Sequence, residues 1–215
     1  MKLVIKPLER AYFAVTDPIV GWLLKLRVRP NTLTTIGALV VVLSGVAFAF
    51  GWIRTGGGGV LLSGGVGTFD GGGGPGSGQV SKFGAFYDST LDRVGDGATF
   101  MGIAVYLLQA PGVTGRVEWT VVCMVAIVSS LIVSYARARA EGLGIDCKVG
   151  IVQRAERLLA VGVPTLFLGA GSNAIVLKVI VAVLALASTI TVVQRFVYMY
   201  QVTEGQSDGD TPSAS

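Results

Sequence analysis

The stretch FGAFYDSTLDRVGD, residues 83 to 96, decides the fold, because it sets carboxylates inside a chain that is otherwise strongly apolar. Gly84, Asp88, Asp92 and Asp96 recur at every fourth residue, so a helix here stacks them on one face about one turn apart. Ala85, Phe86, Leu91 and Val94 fill the rest of the surface. Ionisable groups at membrane depth cost about 2.5 to 3.5 kcal/mol each on insertion scales, and are tolerated mainly where they face a cavity and meet a partner. The stripe therefore predicts a site, and hard cations are its natural partners. A solvated helix start, with acids favouring the N-terminal dipole, accounts for Asp88 but not for a stripe that runs two turns further.

Composition sets the environment. Of 215 residues, 52% are hydrophobic and 14% charged, and mean hydropathy is +0.68, whereas soluble domains average about 25% charged residues. These values predict an all-α, polytopic membrane protein of one domain, residues 1–200, followed by a polar, disordered tail, residues 201–215. The net charge of +4 points to lipid surfaces and phosphate substrates, and no aromatic-and-basic nucleic-acid motif is present. Cys123 sits in an apolar run and Cys147 in a polar loop, so no disulfide framework is expected, and the lack of histidine disfavours zinc. MKLVIKPLER carries charges with no following cleavage pattern, so no signal peptide is predicted.

Outward from the acidic stripe, residues 7 to 29 mix Tyr12, Phe13, Trp22 and Leu23 with Arg10, Lys25, Arg27 and Arg29. That mixture predicts an N-terminal amphipathic helix lying in the membrane interface. Pro30 breaks it, and Asn31 and Thr32 start an apolar run to Trp52 long enough to span. Residues 56 to 78 should supply a second crossing, but glycine costs about 1 kcal/mol per helical position relative to alanine. A helix there is expected to be weak, with Gly64 and Gly65 as contact points and Gly71 to Gly74 before Pro75 as a loop. Further spans are predicted near 84–109, 117–136, 157–170 and 174–200, making six transmembrane helices. Arg and Lys are dense in the N-terminal arm and from Arg137 to Arg157, while the opposite loops hold Arg54 and Arg116, with Lys178 near the last of them. The positive-inside rule places both termini and the mouth of the acidic stripe in the cytoplasm. No internal repeat is evident.

Gly84, Asp88 and Asp92, preceded by Phe69-Asp70-Gly71, resemble the second half of the CDP-alcohol phosphatidyltransferase signature D-x-x-D-G-x-x-A-R-x8-G-x-x-x-D-x-x-x-D. Pro30-Asn31-Thr32-Leu33-Thr34 is similar to the element ahead of the family's first span. Ser134-Tyr135, Arg137 to Gly142, Gly150, Arg154, Glu156-Arg157 and Gln194-Arg195 resemble the branch that makes phosphatidylinositol phosphate. The likeness covers residues 7 to 200.

The resemblance implies transfer of a phosphatidyl group from CDP-diacylglycerol to a phosphorylated polyol, inositol phosphate first and glycerol phosphate second, with release of CMP. It implies two Mg²⁺ ions, with Mn²⁺ as a substitute, held by Asp70, Asp88 and Asp92, and Asp92 as the catalytic group that takes the hydroxyl proton. Asn31, Thr34, Gly71, Ser81 and Gly84 would border the nucleotide-linked lipid, and Arg137, Arg154 and Arg195 would clamp the acceptor's phosphate. Positive-inside topology accounts equally well for Arg137 and Arg154, whereas Arg195 interrupts an apolar span. A homodimer is implied as well.

The first half of the signature departs from the pattern. Counting back from Gly84 without gaps, Gly67 stands at the first aspartate, Asp70 at the second, Gly74 at the alanine and Pro75 at the arginine. Taking Phe69-Asp70 as the first aspartate instead requires a three-residue deletion. Three readings stay open: a weakened enzyme, a non-catalytic binding or assembly subunit, and a local reading-frame slip in the glycine-rich block. A transporter is less supported, since no pair of broken helices with repeat symmetry is present.

Overall fold

The computed structural model describes residues 30–71, 81–151 and 154–207, with side chains for 31–64, 81–151 and 154–204. The interfacial helix expected over 7–29 lies outside the described residues. Among these residues the chain forms six α-helices and no strand: α1 Pro30–Ala49, α2 Ile53–Gly71, α3 Lys82–Gln109, α4 Arg116–Gly142, α5 Arg154–Leu168 and α6 Ile175–Ser207, with a 3₁₀ turn at Ser172–Ala174 before α6. Each of the six expected spans is helical over its described residues, with shifted bounds: α4 runs six residues past the expected 136, to Gly142, and α5 starts three residues earlier than expected, at Arg154. α2 starts at Ile53, three residues before the expected 56, and is described as far as Gly71. α6 continues through Ser207, so the first residues assigned to a disordered tail extend the last helix instead, their backbone bonds satisfied within it. Residues 208–215 are outside the described ones.

Local chemistry explains the helix ends. Pro30 opens α1, where a missing N–H is no loss. α1 closes on Gly51, whose φ of 81° is left-handed, with Trp52 N donating to Ala47 O at 2.8 Å. Ser81 caps α3 by accepting from Gly84 N at 2.9 Å.

Among the described residues, three helices are long and apolar enough to cross a membrane: Asn31–Ala49, Arg116–Gly142 and the last helix with its 3₁₀ turn, Ser172–Glu204. Their outward faces carry exposed Leu39, Leu43, Val121, Val128, Leu186 and Val193, as suits a surface solvated by lipid. α3 falls below that mark because of its own Asp88, Asp92, Arg93 and Asp96, α2 because of its glycines, and α5 because it has 15 residues.

α1 packs on α3 and α2, α2 on α5, α3 on α4, and α4 on α6, while α5 touches α6 only lightly. The apolar core is built around Phe48, Val60, Ile103, Leu107, Leu177 and Val181, and it lies toward the C-terminal half of α3. At that end Lys178 donates to Thr114 O at 3.0 Å and Asn173 Oδ1 at 2.9 Å, over the Trp119 ring. This fixes the far end of the bundle and leaves the N-terminal half of α3 to form the site.

The glycines of α2 have a packing reason that propensity alone conceals. A Cβ on Gly57 would overlap Thr165 and the backbone of Leu166, one on Gly59 would overlap Ser44, and one on Gly162 of α5 would overlap Leu61. Gly57 and Gly59 are thus contact glycines of α2, as is Gly56 against Phe48, while Gly65 of the pair singled out from sequence lies where side chains fall outside the described ones. Close backbone approach offsets the helix-propensity cost.

Gly57→Ala is expected to destabilise the detergent-solubilised protein by about 1 to 3 kcal/mol, the usual cost of overpacking, read as a lower thermal midpoint. Gly58→Ala, whose nearest neighbour would be Leu166 Cδ1 at 3.6 Å, is expected to keep the midpoint or raise it. Equal midpoints in the two variants would contradict the close approach of α2 and α5.

Candidate functional site

The acidic stripe enters the bundle obliquely. Asp88 and Asp92 are partly buried, and Asp96 is buried at 8% exposure. α1 can lie close enough to reach them because Gly102 meets the Gly45 carbonyl and Gly95 accommodates Val41. That contact brings Thr34 of α1 and Ser63 of α2 to the rim of a narrow cleft of about 10 Å³ shared with Asp88, Asp92 and Arg154. A space that small is near the least that holds one water.

At the mouth of the cleft a Cβ on Gly84 would press against Ser81 Oγ at 3.1 Å and Asn31 Oδ1 at 3.2 Å. Asn31, Thr34, Ser81 and Gly84, which the resemblance assigned to the nucleotide-linked lipid, are therefore gathered at one end of the bundle. Thr35 and Tyr87 share a hydrogen bond at 3.0 Å beside them and tie α1 to α3. Gly71 and Asp70 lie in the last turn of α2, where side chains fall outside the described ones.

The arginines take up individual partners. Arg154 Nη2 lies 2.6 Å from Asp92 Oδ1, and Arg157 Nη1 lies 3.1 Å from Asp96 Oδ2. Arg93 donates to Ser134 Oγ, and Ser130 Oγ donates to Asp96 Oδ2 at 3.4 Å. Arg137 pairs with Glu141 one turn along α4. Arg195, 6% exposed, donates to the carbonyls of Val149, at 2.9 Å, and Val133. These guanidinium groups are still close enough to feel one another: Arg195 is within electrostatic reach of Arg137 and Arg157, and Arg93 of Arg154 and Arg157. The Nε atoms of Arg154 and Arg157 are buried without a hydrogen-bond partner. Donors left idle in a cationic cluster are suited to an anion.

Sequence reasoning placed Arg154 beside Arg137 and Arg195; it counted Asp96 in the acidic stripe and Arg157 in the family likeness without giving either a role, and it missed Arg93 and Ser130 as members of the site. The signal was present in the spacing. Asp92 and Asp96 are four apart on α3, and Arg154 and Arg157 are three apart on α5, so one face of each helix carries a matching pair of charges.

The donors around the cleft, carboxylates and hydroxyls, are hard oxygens that suit Mg²⁺ or Mn²⁺. Among the described residues no three metal-ligating side chains are gathered together. The third expected ligand, Asp70, is described by its backbone alone. The Arg154 guanidinium meets Asp92 with the charge a cation would bring. The donor chemistry fits a divalent ion, on condition that Arg154 turns away from Asp92.

Residues 27–196 match the family model of the CDP-alcohol phosphatidyltransferases. The chain is 37% identical over 198 residues to the phosphatidylinositol phosphate synthase of Cutibacterium acnes, an alignment that covers 88% of this chain and 94% of that one. It is 35% identical over 185 residues to the archaetidylinositol phosphate synthase of Methanothermobacter thermautotrophicus, covering 86% and 88%. Among solved structures, the phosphatidylinositol phosphate synthase of Mycobacterium tuberculosis with CDP-DAG bound superposes with a TM-score of 0.67 at 29% identity, over 87% of this chain and 94% of that one. The same protein in complex with manganese and citrate gives 0.65 at 30% identity, over 84% and 87%.

The partners of Arg195 make it a structural tie as well as a candidate ligand. Arg195→Met removes charge-assisted bonds to Val149 and Val133, each class of bond contributing about 1.5 to 3 kcal/mol, and is expected to lower the thermal midpoint and speed proteolysis within residues 143–151. Unchanged proteolysis of that loop would show that Arg195 does not hold it.

Proposed function

The chain belongs to the CDP-alcohol phosphatidyltransferase family, and from that premise we propose that it transfers a phosphatidyl group from CDP-diacylglycerol to inositol phosphate, with release of CMP. The observation that carries the proposal is the junction of Asp88 and Asp92 with Thr34, Ser63 and Arg154 in one cleft beneath Asn31, Ser81 and Gly84. The relatives' activities and the substrate held by the Mycobacterium tuberculosis enzyme support the donor and acceptor chosen here.

Asp88 and Asp92, with Asp70 from α2, would hold the divalent ions, Mg²⁺ or Mn²⁺. Bound there, such ions neutralise the pyrophosphate and make its lipid-side phosphorus electrophilic. Asn31, Thr34, Ser81, Gly71 and Gly84 border the nucleotide. Asp92 takes the proton of the inositol hydroxyl as its oxygen bonds to that phosphorus, and the bond to the CMP oxygen breaks with its electron pair. Arg154, freed from Asp92, is the nearest cation for the acceptor's phosphate, with Arg137 and Arg195 completing a clamp of forked donors. The positive-inside distribution supports six crossings with the site and both termini cytoplasmic, and the family likeness supports a homodimer.

A second reading rests on Gly67 and Pro75, which stand where the signature has an aspartate and an arginine. It makes the chain a non-catalytic membrane subunit that keeps the fold. Under it, Asp92→Asn leaves cellular function unchanged.

Purified protein is expected to release CMP from CDP-diacylglycerol only with inositol phosphate and Mg²⁺ or Mn²⁺, and chelation is expected to stop the release reversibly. Asp92→Asn should lower kcat at least about 10²-fold, the lower range for a general base. Arg154→Gln should raise KM for inositol phosphate about 10- to 100-fold, matching loss of a charge-assisted bond. No CMP from protein with a native thermal transition sinks the transferase, and turnover with glycerol phosphate alone reassigns the acceptor.

A further inference from the structure

Asp96 and Arg157 have no part in the reaction as drawn, yet they form the most deeply buried ion pair described, 8% and 5% exposed. A buried pair of this kind carries a desolvation cost that its attraction only partly offsets, so its presence invites a specific role. α3 and α5 share almost no backbone contact, since α5 rests on α2 through Gly57 and Gly162. What joins α5 to α3 is two ionic rungs, Arg154 to Asp92 near the cleft and Arg157 to Asp96 one turn deeper. The deeper rung is anchored to α4 as well, by Ser130 on Asp96 Oδ2.

We propose that Asp96 and Arg157 are positioning residues: the deep pair occupies Arg157 so that Asp92 faces a single arginine, one that a divalent ion can displace. Arg157 sits one turn from Arg154 and Asp96 one turn from Asp92. Were Asp96 uncharged, Arg157 would be a buried cation that has lost its carboxylate, one turn along α5 from the arginine that already reaches Asp92. It would turn to Asp92 and compete with the ion there. Arg93, engaged with Ser134, is the third guanidinium in the cluster and is kept off Asp92 in the same way. The inference rests on the divalent site proposed above.

The test is binding of Mn²⁺ to the full chain in detergent, followed by the electron paramagnetic resonance signal of free Mn²⁺, beside thermal midpoints. Asp96→Asn is expected to bind Mn²⁺ about tenfold more weakly than wild type, and Asp96→Asn with Arg157→Gln to recover to within about threefold, since the second change removes the competing cation. A merely structural role predicts the reverse order, with the double variant at least as impaired as the single. Equal binding by wild type and Asp96→Asn overturns the positioning role alone, and so does a double variant as weak as the single. Should Asp96→Asn not fold, the double variant decides: binding within threefold of wild type supports the role, and a tenfold loss overturns it. Absence of Mn²⁺ binding in wild type overturns the metal site itself, and this inference with it.

Discussion

The constraint on which the structure turns is the cost of holding ionised side chains among apolar helices. Asp92 and Asp96 on α3 meet it by facing Arg154 and Arg157 on α5. The two rungs differ in depth: the outer one keeps 28% and 11% side-chain exposure at Arg154 and Asp92, the inner one 6% and 8% at Arg157 and Asp96. An ion pair open to solvent is the easier to exchange, because water compensates the separated charges. The gradient along α3 thus puts the exchangeable charge at the cleft and the fixed one beneath it.

Glycine makes that arrangement reachable. α1 and α3 meet through Gly45, Gly95 and Gly102, and α2 and α5 meet through Gly57 and Gly162. Close backbones narrow the bundle until Thr34, Ser63, Asp88 and Arg154, from four different helices, line one cleft. At the opposite end, Lys178, Asn173, Thr114 and Trp119 tie the bundle together through hydrogen bonds and a cation over a ring.

Periodicity made the six helices legible, because a four-residue recurrence of acids and long apolar runs are local properties of the chain. Asn31, Thr34, Ser81 and Gly84 were singled out through the family resemblance, and they lie at one end of the bundle because each sits near a helix start. The partners of the acids were not legible. A sequence shows that Arg154 and Arg157 share a face of a helix, but which helix they meet depends on how α5 rests on α2. Close packing by the glycines of α2 was expected, but its partner was not legible: propensity counts the cost at each position, while the compensating contact of Gly57 with Thr165 lies about a hundred residues away. Arg195 read as a ligand because it breaks an apolar run, yet its bonds to Val133 and Val149 also tie three segments together. The cavity for hard cations expected from the stripe is, in this structure, a cleft narrowed by Arg154 on Asp92.

The central claim is that Asp88 and Asp92 exchange an arginine for a divalent ion. A crystal or cryo-microscopy structure with Mn²⁺ and CDP-diacylglycerol tests it directly. The account predicts metal density about 2.0 to 2.2 Å from carboxylate oxygens of Asp88 and Asp92, with Arg154 turned off Asp92 and Arg157 still on Asp96. Density elsewhere, with Arg154 still paired to Asp92 while the nucleotide is bound, would contradict it.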